Sequence, residues 1–417
     1  MEGIETGGRQ AEPFSEADLS LSVAELSAVR LGRLARVRAQ MVAHDIGGLV
    51  LTDPVNVRYA CDARNMQIFT ARNPARYVFI AADGPAIMFD FAGAEHLTVG
   101  LETIDEIRTA KSTSYVSQAH LQEGVVDAWA AEIADLMRAH GGGSRRVGIE
   151  RFAPEVAFAL RARGVEVVDA QAPVERARAI KVPHEIRMMR SSIAAVEEGV
   201  AKLRAAIRPG VTENAVWTEL WSHVMAHDAD YVETRLLNSG PRTNPWYQES
   251  GERVLRAGDM VCLDTDVVGR HGYYADFSRS WIVGDGRPSA HQRTLYKLAH
   301  EQVHTNMDLI RPGMSFREIS EKGWVIPERY ERNRYYLLAH GIGMTGEYPY
   351  ILYRKDFEAG GYDGVIEPGM VLCVESFIGA EDGGEGVKLE QQIEITETGW
   401  RLMSRFPFDE DMLGREV

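Results

Sequence analysis

The stretch Met260-Val-Cys-Leu-Asp264-Thr-Asp266-Val-Val-Gly-Arg-His-Gly-Tyr-Tyr-Ala-Asp276-Phe-Ser-Arg279 decides how the chain is read. Met260 to Leu263 form a short apolar run that predicts a buried strand. Side chains alternate along a strand, so Asp264 and Asp266 are expected on one face. Gly269 and Gly272 mark a turn, and a second strand near Tyr273 to Ser278 returns Asp276 to the same place. Three carboxylates at adjoining strand ends repel one another unless a cation lies between them, and hard divalent metals take such oxygen ligands. A solvated acidic hairpin is the competing reading.

The same pattern recurs downstream. Gly258-Asp-Met-Val-Cys262-Leu-Asp264 is echoed by Gly369-Met-Val-Leu-Cys373-Val-Glu375, with the carboxylate six residues after the glycine in both. Upstream of each, Ile207-Arg-Pro-Gly210-Val-Thr212-Glu matches Ile310-Arg-Pro-Gly313-Met-Ser315-Phe. In both copies Pro-Gly closes a helix and Thr or Ser is placed to cap the next. A repeat of this kind can simply duplicate a fold. A pseudo-twofold arrangement also sets Asp264 and Glu375 facing each other across an axis, which is a way to build a two-metal site.

Two more segments supply donors. In Leu337-Leu-Ala-His340-Gly-Ile-Gly343 an apolar run enters a histidine and leaves through glycines that permit close approach. A histidine in that setting is otherwise a packed core residue. In Gly386-Val-Lys388-Leu-Glu390-Gln-Gln-Ile-Glu394-Ile, alternation puts Lys388 and Glu390 on one face, and Glu394 is a rival for the same role. The proposed metal set is Asp264, Asp266, Asp276, His340, Glu375 and Glu390. Carboxylates with one imidazole suit iron, manganese, cobalt or zinc rather than a thiolate-loving metal. Two such ions can clamp a water or an oxyanion.

The segment Arg178-Ala-Ile-Lys-Val-Pro183-His-Glu185-Ile reads as a domain junction, with a long helix over Glu185 to Ile207 after it. Before it the pattern alternates. Helix is expected over 24–44, 125–140 and 154–163, and strand over 48–52, 77–82, 86–90, 146–150 and 165–168. The division is an arm at 1–20, an α/β domain at 21–177 and a metal-binding domain at 178–417. The arm is polar and without period.

Across 417 residues, 45% are hydrophobic and 26% charged, as in an ordinary globular protein. The net charge of -15 argues against a nucleic-acid partner, which calls for a basic face. Cys61, Cys262 and Cys373 lie far apart, so a disulfide scaffold or zinc ribbon is not expected, and Cys262 and Cys373 read as packing residues. No apolar run reaches the length of a membrane span, and the acidic N-terminus is unlike a signal peptide; a cytoplasmic location is the expectation. The chain has no GxxxxGK(S/T) loop, no GxGxxG after a strand and no GxSxG elbow, so nucleotide and serine-hydrolase chemistry are weak readings.

These motifs together resemble the creatinase and prolidase superfamily. That resemblance implies a creatinase-like α/β N-terminal domain followed by a pseudo-twofold "pita-bread" α+β domain. It also implies that Asp264, Asp276, His340, Glu375 and Glu390 bind two metal ions. Two departures separate the chain from ordinary aminopeptidases and prolidases. The loop Asn238-Ser-Gly240-Pro-Arg242-Thr-Asn244-Pro-Trp246 lacks a histidine, and so does Met344-Thr-Gly346-Glu347-Tyr-Pro349. Those histidines stabilise the tetrahedral intermediate of peptide cleavage.

Glu233-Thr-Arg-Leu-Leu-Asn-Ser-Gly-Pro-Arg-Thr-Asn-Pro-Trp246, Asp264-Thr-Asp266, Ser278-Arg-Ser-Trp281 and Glu367-Pro-Gly-Met-Val-Leu-Cys-Val-Glu375 resemble one branch, the dimethylsulfoniopropionate lyases of creatinase fold. The resemblance implies that Asp266 joins the metal site, that iron occupies it, that the enzyme is a homodimer and that Tyr335 lines the pocket. The branch carries a catalytic aspartate six residues after the metal histidine, and this chain has Gly346 there. Glu347, next to it, is the expected substitute base. Arg242, Asn244 and Trp246 are the expected contacts for a small carboxylate-bearing substrate, with Arg242 or Arg279 either anchoring the carboxylate or tying down a metal-bound Asp. Three readings stay open: a metal-dependent carbon–sulfur lyase, a dinuclear metallohydrolase of small amides or dipeptides, and a non-catalytic metal-binding homologue.

Overall fold

The structure is a computed structural model that describes residues 19–414. The predicted arm at 1–20 lies almost wholly outside the described residues. Two compact units are present, Leu21–Arg178 and the chain from Ala179 onward.

The first unit is built on a six-stranded sheet. Its strands are β1 (Gly48–Leu51), β2 (Tyr77–Ala81), β3 (Ala86–Asp90), β4 (Glu106–Thr109), β5 (Arg146–Ile149) and β6 (Glu166–Asp169), in spatial order β4-β3-β2-β1-β5-β6. The apolar runs of β1 to β3 are buried along their whole length, as a covered sheet requires. Tyr77, Phe79, Phe89 and Val147 join Trp129 and Ile133 of the helix Gln122–His140 in one core. The helix Val23–Ala43 starts with a capping box between Ser22 and Glu25. Asp53-Pro54 starts the helix Pro54–Cys61: Asp53 accepts the Val55 N–H at 2.9 Å and proline occupies the first turn. Strand β4 gave no sequence signal, because Glu106, Arg108 and Thr109 surround a single apolar residue.

The second unit opens with the helix Pro183–Ala206. Pro183 sits in its first turn, where no N–H is needed, and Glu185 accepts the Val182 N–H at 2.9 Å. Thr212 caps the helix Glu213–Ala226, and Ser315 with Glu318 boxes the helix Phe316–Lys322. The sequence repeat is a structural one. Gly210 and Gly313 adopt φ of +91° and +87°, and each donates its N–H to a backbone carbonyl, of Leu255 and Ile366, next to an isolated bridge at Val254 and Val365. Gly258 and Gly369, at +83° and +86°, turn the chain into the two acid-bearing strands.

Short strands follow in the first half: β7 (Tyr231–Val232), β8 (Leu237–Ser239), β9 (Met260–Asp264), β10 (Val267–Val268), β11 (Tyr274–Ala275) and β12 (Ser278–Ile282). They form two three-stranded sheets, β11-β10-β7 and β12-β9-β8. The second half adds β13 (Leu337–Ile342), β14 (Gly346–Leu352), β15 (Val371–Gly379), β16 (Gly386–Ile395) and β17 (Trp400–Leu402), an antiparallel sheet in the order β14-β13-β15-β16-β17. Leu295, Ala299 and Val303 of the helix Ala290–Leu309 share a core with Val374, Val387 and Leu389 of β15 and β16. Burying each large aliphatic or aromatic side chain there contributes about 1.5–3 kcal/mol. Strand β15 is buried throughout and β16 everywhere but at Glu394, so the charged residues in their middle lie inside the protein.

Candidate metal centre

Strand pairing assembles the acids. Ser278 of β12 stands opposite Asp264 at the end of β9, which brings Asp276, two residues earlier, next to it. Glu375 of β15 stands directly opposite Glu390 of β16. His340 of β13 pairs with Cys373, two residues from Glu375 and therefore on its diagonal. Oxygens of Asp264, Glu375 and Glu390 lie within 4.8 Å of one another, as do those of Asp264, Asp266 and Asp276. His340 Nε2 is 3.1 Å from Glu375, 3.7 Å from Glu390 and 3.8 Å from Asp276.

Asp266 reaches the cluster by a different route from the one expected. Strand β9 ends at Asp264, and Asp266 turns through a left-handed φ of +43°. Thr234 and Tyr274 then hold one carboxylate oxygen each, the Tyr274 hydroxyl at 2.9 Å. Glu394, the rival to Glu390, pairs instead with Arg190 at 2.8 Å and Arg401 at 3.6 Å.

The electrostatics call for cations. Burial, followed by repulsion from Glu390, pushes the Asp276 carboxyl well above the usual range. Burial and then Asp264 push Asp266 up to about 8. Oδ1 of Asp276 and Oε1 of Glu390 are buried with no hydrogen-bond partner. Buried carboxylate oxygens without a donor are costly unless a cation meets them. The Nδ1 of His340 lies 2.9 Å from the Gly341 carbonyl; with its proton there, Nε2 presents a lone pair to the cluster. The six residues therefore fit hard divalent metal ions.

Sequence reasoning placed Lys388 on the Glu390 face without giving it a role. Its ammonium is fully buried among the acids, 2.7 Å from Glu375, 3.0 Å from Glu390, 3.2 Å from Asp264 and 2.8 Å from the Ser278 hydroxyl. A lysine in the interior of an apolar strand, two residues before the acid, was its signal. Cys373 is also closer to the chemistry than a packing residue need be: its Sγ lies within 4.8 Å of donor atoms of Asp276, His340 and Glu390.

A cavity of about 330 Å³ opens onto the cluster. Asp264, Asp266, Asp276, His340 and Glu375 reach it, and Trp246, Tyr247, Tyr274, Tyr335, Tyr336 and Tyr350 form much of its wall. Tyr247 and Tyr335 lie 5.6 Å apart by ring centroids, and Tyr335 and Tyr336 5.5 Å. Burial, and then the charge of Glu375, hold the Tyr335 phenol far above its usual range.

Three expectations are corrected. Glu347 does not line the cavity. Its carboxylate is buried against Lys181 Nζ at 2.5 Å. Arg242 is bound by the Glu213 carboxylate and the Glu249 carbonyl, and Asn244 donates to the Ala380 carbonyl at 2.9 Å; both are scaffold groups away from the cavity wall. Arg279 is also structural, spanning the Glu390 carbonyl, Gln391 and the Phe406 carbonyl under the ring of Phe408.

The sequence pattern of metallopeptidase family M24 matches residues 187–397, and that of the creatinase/prolidase N-terminal domain matches residues 33–180. The chain belongs to family M24. It is 37% identical to the dimethylsulfoniopropionate lyase DddP of Roseovarius nubinhibens, over 99% of this chain and 94% of that protein. It is 36% identical to the lyase of the same name from Roseobacter denitrificans, over 100% of this chain and 94% of that one. Among solved structures it resembles an Xaa-Pro dipeptidase from Bacillus anthracis, with a TM-score of 0.73 and 23% identity over 91% of this chain and 99% of that one. The pita-bread fold expected from the family resemblance is thus shown, and family membership implies divalent metal ions. Among the described residues, no helix is long and apolar enough to cross a membrane.

Proposed function

We propose that this M24 chain is a metal-dependent lyase that splits dimethylsulfoniopropionate into dimethyl sulfide and acrylate, or acts on a close analogue. The observation that carries the reading is the aromatic wall beside the acid cluster. A sulfonium head is a cation with no N–H to donate, so aromatic faces hold it better than hydrogen-bond acceptors do. Tyr247, Tyr335, Tyr336 and Trp246 line a cavity of suitable size, and the rings of Tyr335 and Trp246 already face one cation, the Lys388 ammonium, at 5.2 and 5.8 Å. Asp264, Asp266, Asp276, His340, Glu375 and Glu390 would hold the metal ions, which when bound supply positive charge for the substrate carboxylate and acidify the carbon beside it. Lys388 holds three of those acids in place, and Tyr335 stays protonated to donate a hydrogen bond. Full-length similarity to proteins named as dimethylsulfoniopropionate lyases supports the same substrate. The resemblance that suggests it also suggests iron, a homodimer and a cytoplasmic enzyme; metal analysis and native mass spectrometry decide the first two.

Gly346 favours a second reading. With no carboxylate there, the family's hydrolytic chemistry on a small amide or dipeptide needs no replacement for it. The deciding experiment is headspace and proton-NMR detection of dimethyl sulfide and acrylate from the iron- or manganese-loaded protein, with Glu375→Ala as control. Metal-dependent release, absent in the control, establishes the lyase. No product from a protein with its metal bound moves the search to small amides and dipeptides.

A further inference from the structure

A β-elimination needs a group that takes the proton from the carbon next to the carboxylate. Within the cavity most candidates are already committed. Asp264, Asp266, Asp276 and Glu375 belong to the acid cluster. His340 faces that cluster through Nε2 and the Gly341 carbonyl through Nδ1. Glu347 is outside, buried on Lys181. The phenol of Tyr247 is pushed up to about 12 by burial and then by Glu375, which leaves it a poor base.

One further carboxylate lines the cavity, that of Glu233 just after β7. It is reached by the hydroxyl of Thr345, at 3.3 and 3.4 Å from its two oxygens, and by that of Tyr274 at 3.1 Å. Thr345 is the neighbour of Gly346. A Cβ built on Gly346 would meet nothing closer than the His340 ring at 3.8 Å, so the wall is open there. Glu233 thus brings a carboxylate from the opposite half of the repeat to within one residue of that opening. Tyr274 also donates to Asp266 at 2.9 Å, and its single proton serves one carboxylate at a time. Glu233 is exposed, which gives a proton a way out to solvent.

We infer that Glu233 is the general base of this site, supplied by the β7 segment where position 346 carries none. The inference rests on the lyase reading. A Glu233 oxygen bonds the proton, and the C–H electron pair becomes the new carbon–carbon double bond. The carbon–sulfur bond breaks with its pair going to sulfur, giving neutral dimethyl sulfide and acrylate. The protonated Glu233 then releases its proton to water.

The test compares the metal-loaded, full-length wild type with Glu233→Gln, Glu233→Gln/Gly346→Asp and Glu233→Ala on dimethylsulfoniopropionate. Loss of a general base lowers kcat by roughly 100- to 10,000-fold. Glu233→Gln is expected to show that loss with KM and metal content unchanged. Activity is expected to return in the double variant, and in Glu233→Ala on adding formate. An unimpaired Glu233→Gln overturns the inference alone. So does a loss that comes with lost metal, or one that neither Gly346→Asp nor formate recovers. A wild type that makes no dimethyl sulfide overturns the lyase reading, and this inference with it.

Discussion

Replacing Lys388 with methionine tests the electrostatic account of the acid cluster. The side chain keeps its volume and loses its charge. Three carboxylates, on Asp264, Glu375 and Glu390, then lose an ammonium that lies within 3.2 Å of each. Breaking a buried ion pair by removing one partner costs about 3–5 kcal/mol. For a unit of this size that lowers Tm by roughly 6–20 °C. The loss is expected in metal-stripped protein. Metal ions bring their own positive charge, so the gap to wild type narrows once they are added. It also narrows at low pH. Without Lys388 the acids have raised folded-state pKa values, and protonation in the folded state relieves the repulsion. Scanning calorimetry of both proteins, stripped and loaded, at pH 5 and pH 8, reads all three effects. A stripped Lys388→Met protein that melts with wild type refutes the reasoning, as does a gap that metal leaves unchanged.

Glu347→Ala leaves Lys181 buried without this counter-charge, so stability falls by about 3–5 kcal/mol while the rate per metal-loaded site stays at the wild-type level; a selective loss of kcat in stable protein would restore Glu347 as a base. Tyr335→Ala removes an aromatic face worth about 0.5–2 kcal/mol to a bound cation and weakens substrate binding roughly 2- to 30-fold. Tyr335→Phe keeps that face, and equal binding losses in the two variants, read by titration calorimetry, would exclude the cage. In the first unit, Glu150 is pushed up to about 7 by burial and then by Asp53. The unfolded chain loses this proton first, near 4.5, so stability falls as pH rises from 4.5 to about 7, by about 3 kcal/mol in total. Amide exchange at Thr52 and Asp53, both bonded to Glu150, follows it once corrected for intrinsic rates; protection that rises through that window contradicts the assignment.

Asp264, Glu375 and Glu390 were legible because each sits at the end or in the middle of an apolar strand, where a charge is conspicuous. The repeat was legible because the two turns need glycine at the same left-handed positions. Glu347 was misjudged because it was taken to stand in for its neighbour at position 346. Both lie in strand β14, whose alternate residues face opposite ways. Gly346 therefore opens on the cavity and Glu347 turns inward to Lys181. Arg242 and Asn244 lie in a tight turn at the end of β8, where no periodicity predicts the direction of a side chain. Asp266 was grouped correctly with Asp264, but through a left-handed turn that alternation does not describe. Glu233 follows a two-residue strand too short to leave a pattern, so only its place in the folded cavity reveals it.

The division between what was legible and what was hidden follows the division of labour in the fold. The ligands come from paired strands: Glu375 stands opposite Glu390 in the second half of the repeat, and in the first half Asp264 stands opposite Ser278, two residues after Asp276. Such pairs are fixed by sheet register and leave a periodic trace in the sequence. The wall is different. Tyr247, Tyr335, Thr345 and Glu233 come from turns and strand ends that register does not constrain. A change there alters what enters the cavity and which atom loses a proton, while the acid cluster stays intact. Chains similar to this one carry names as different as Xaa-Pro dipeptidase and dimethylsulfoniopropionate lyase, so the fold by itself does not fix the chemistry.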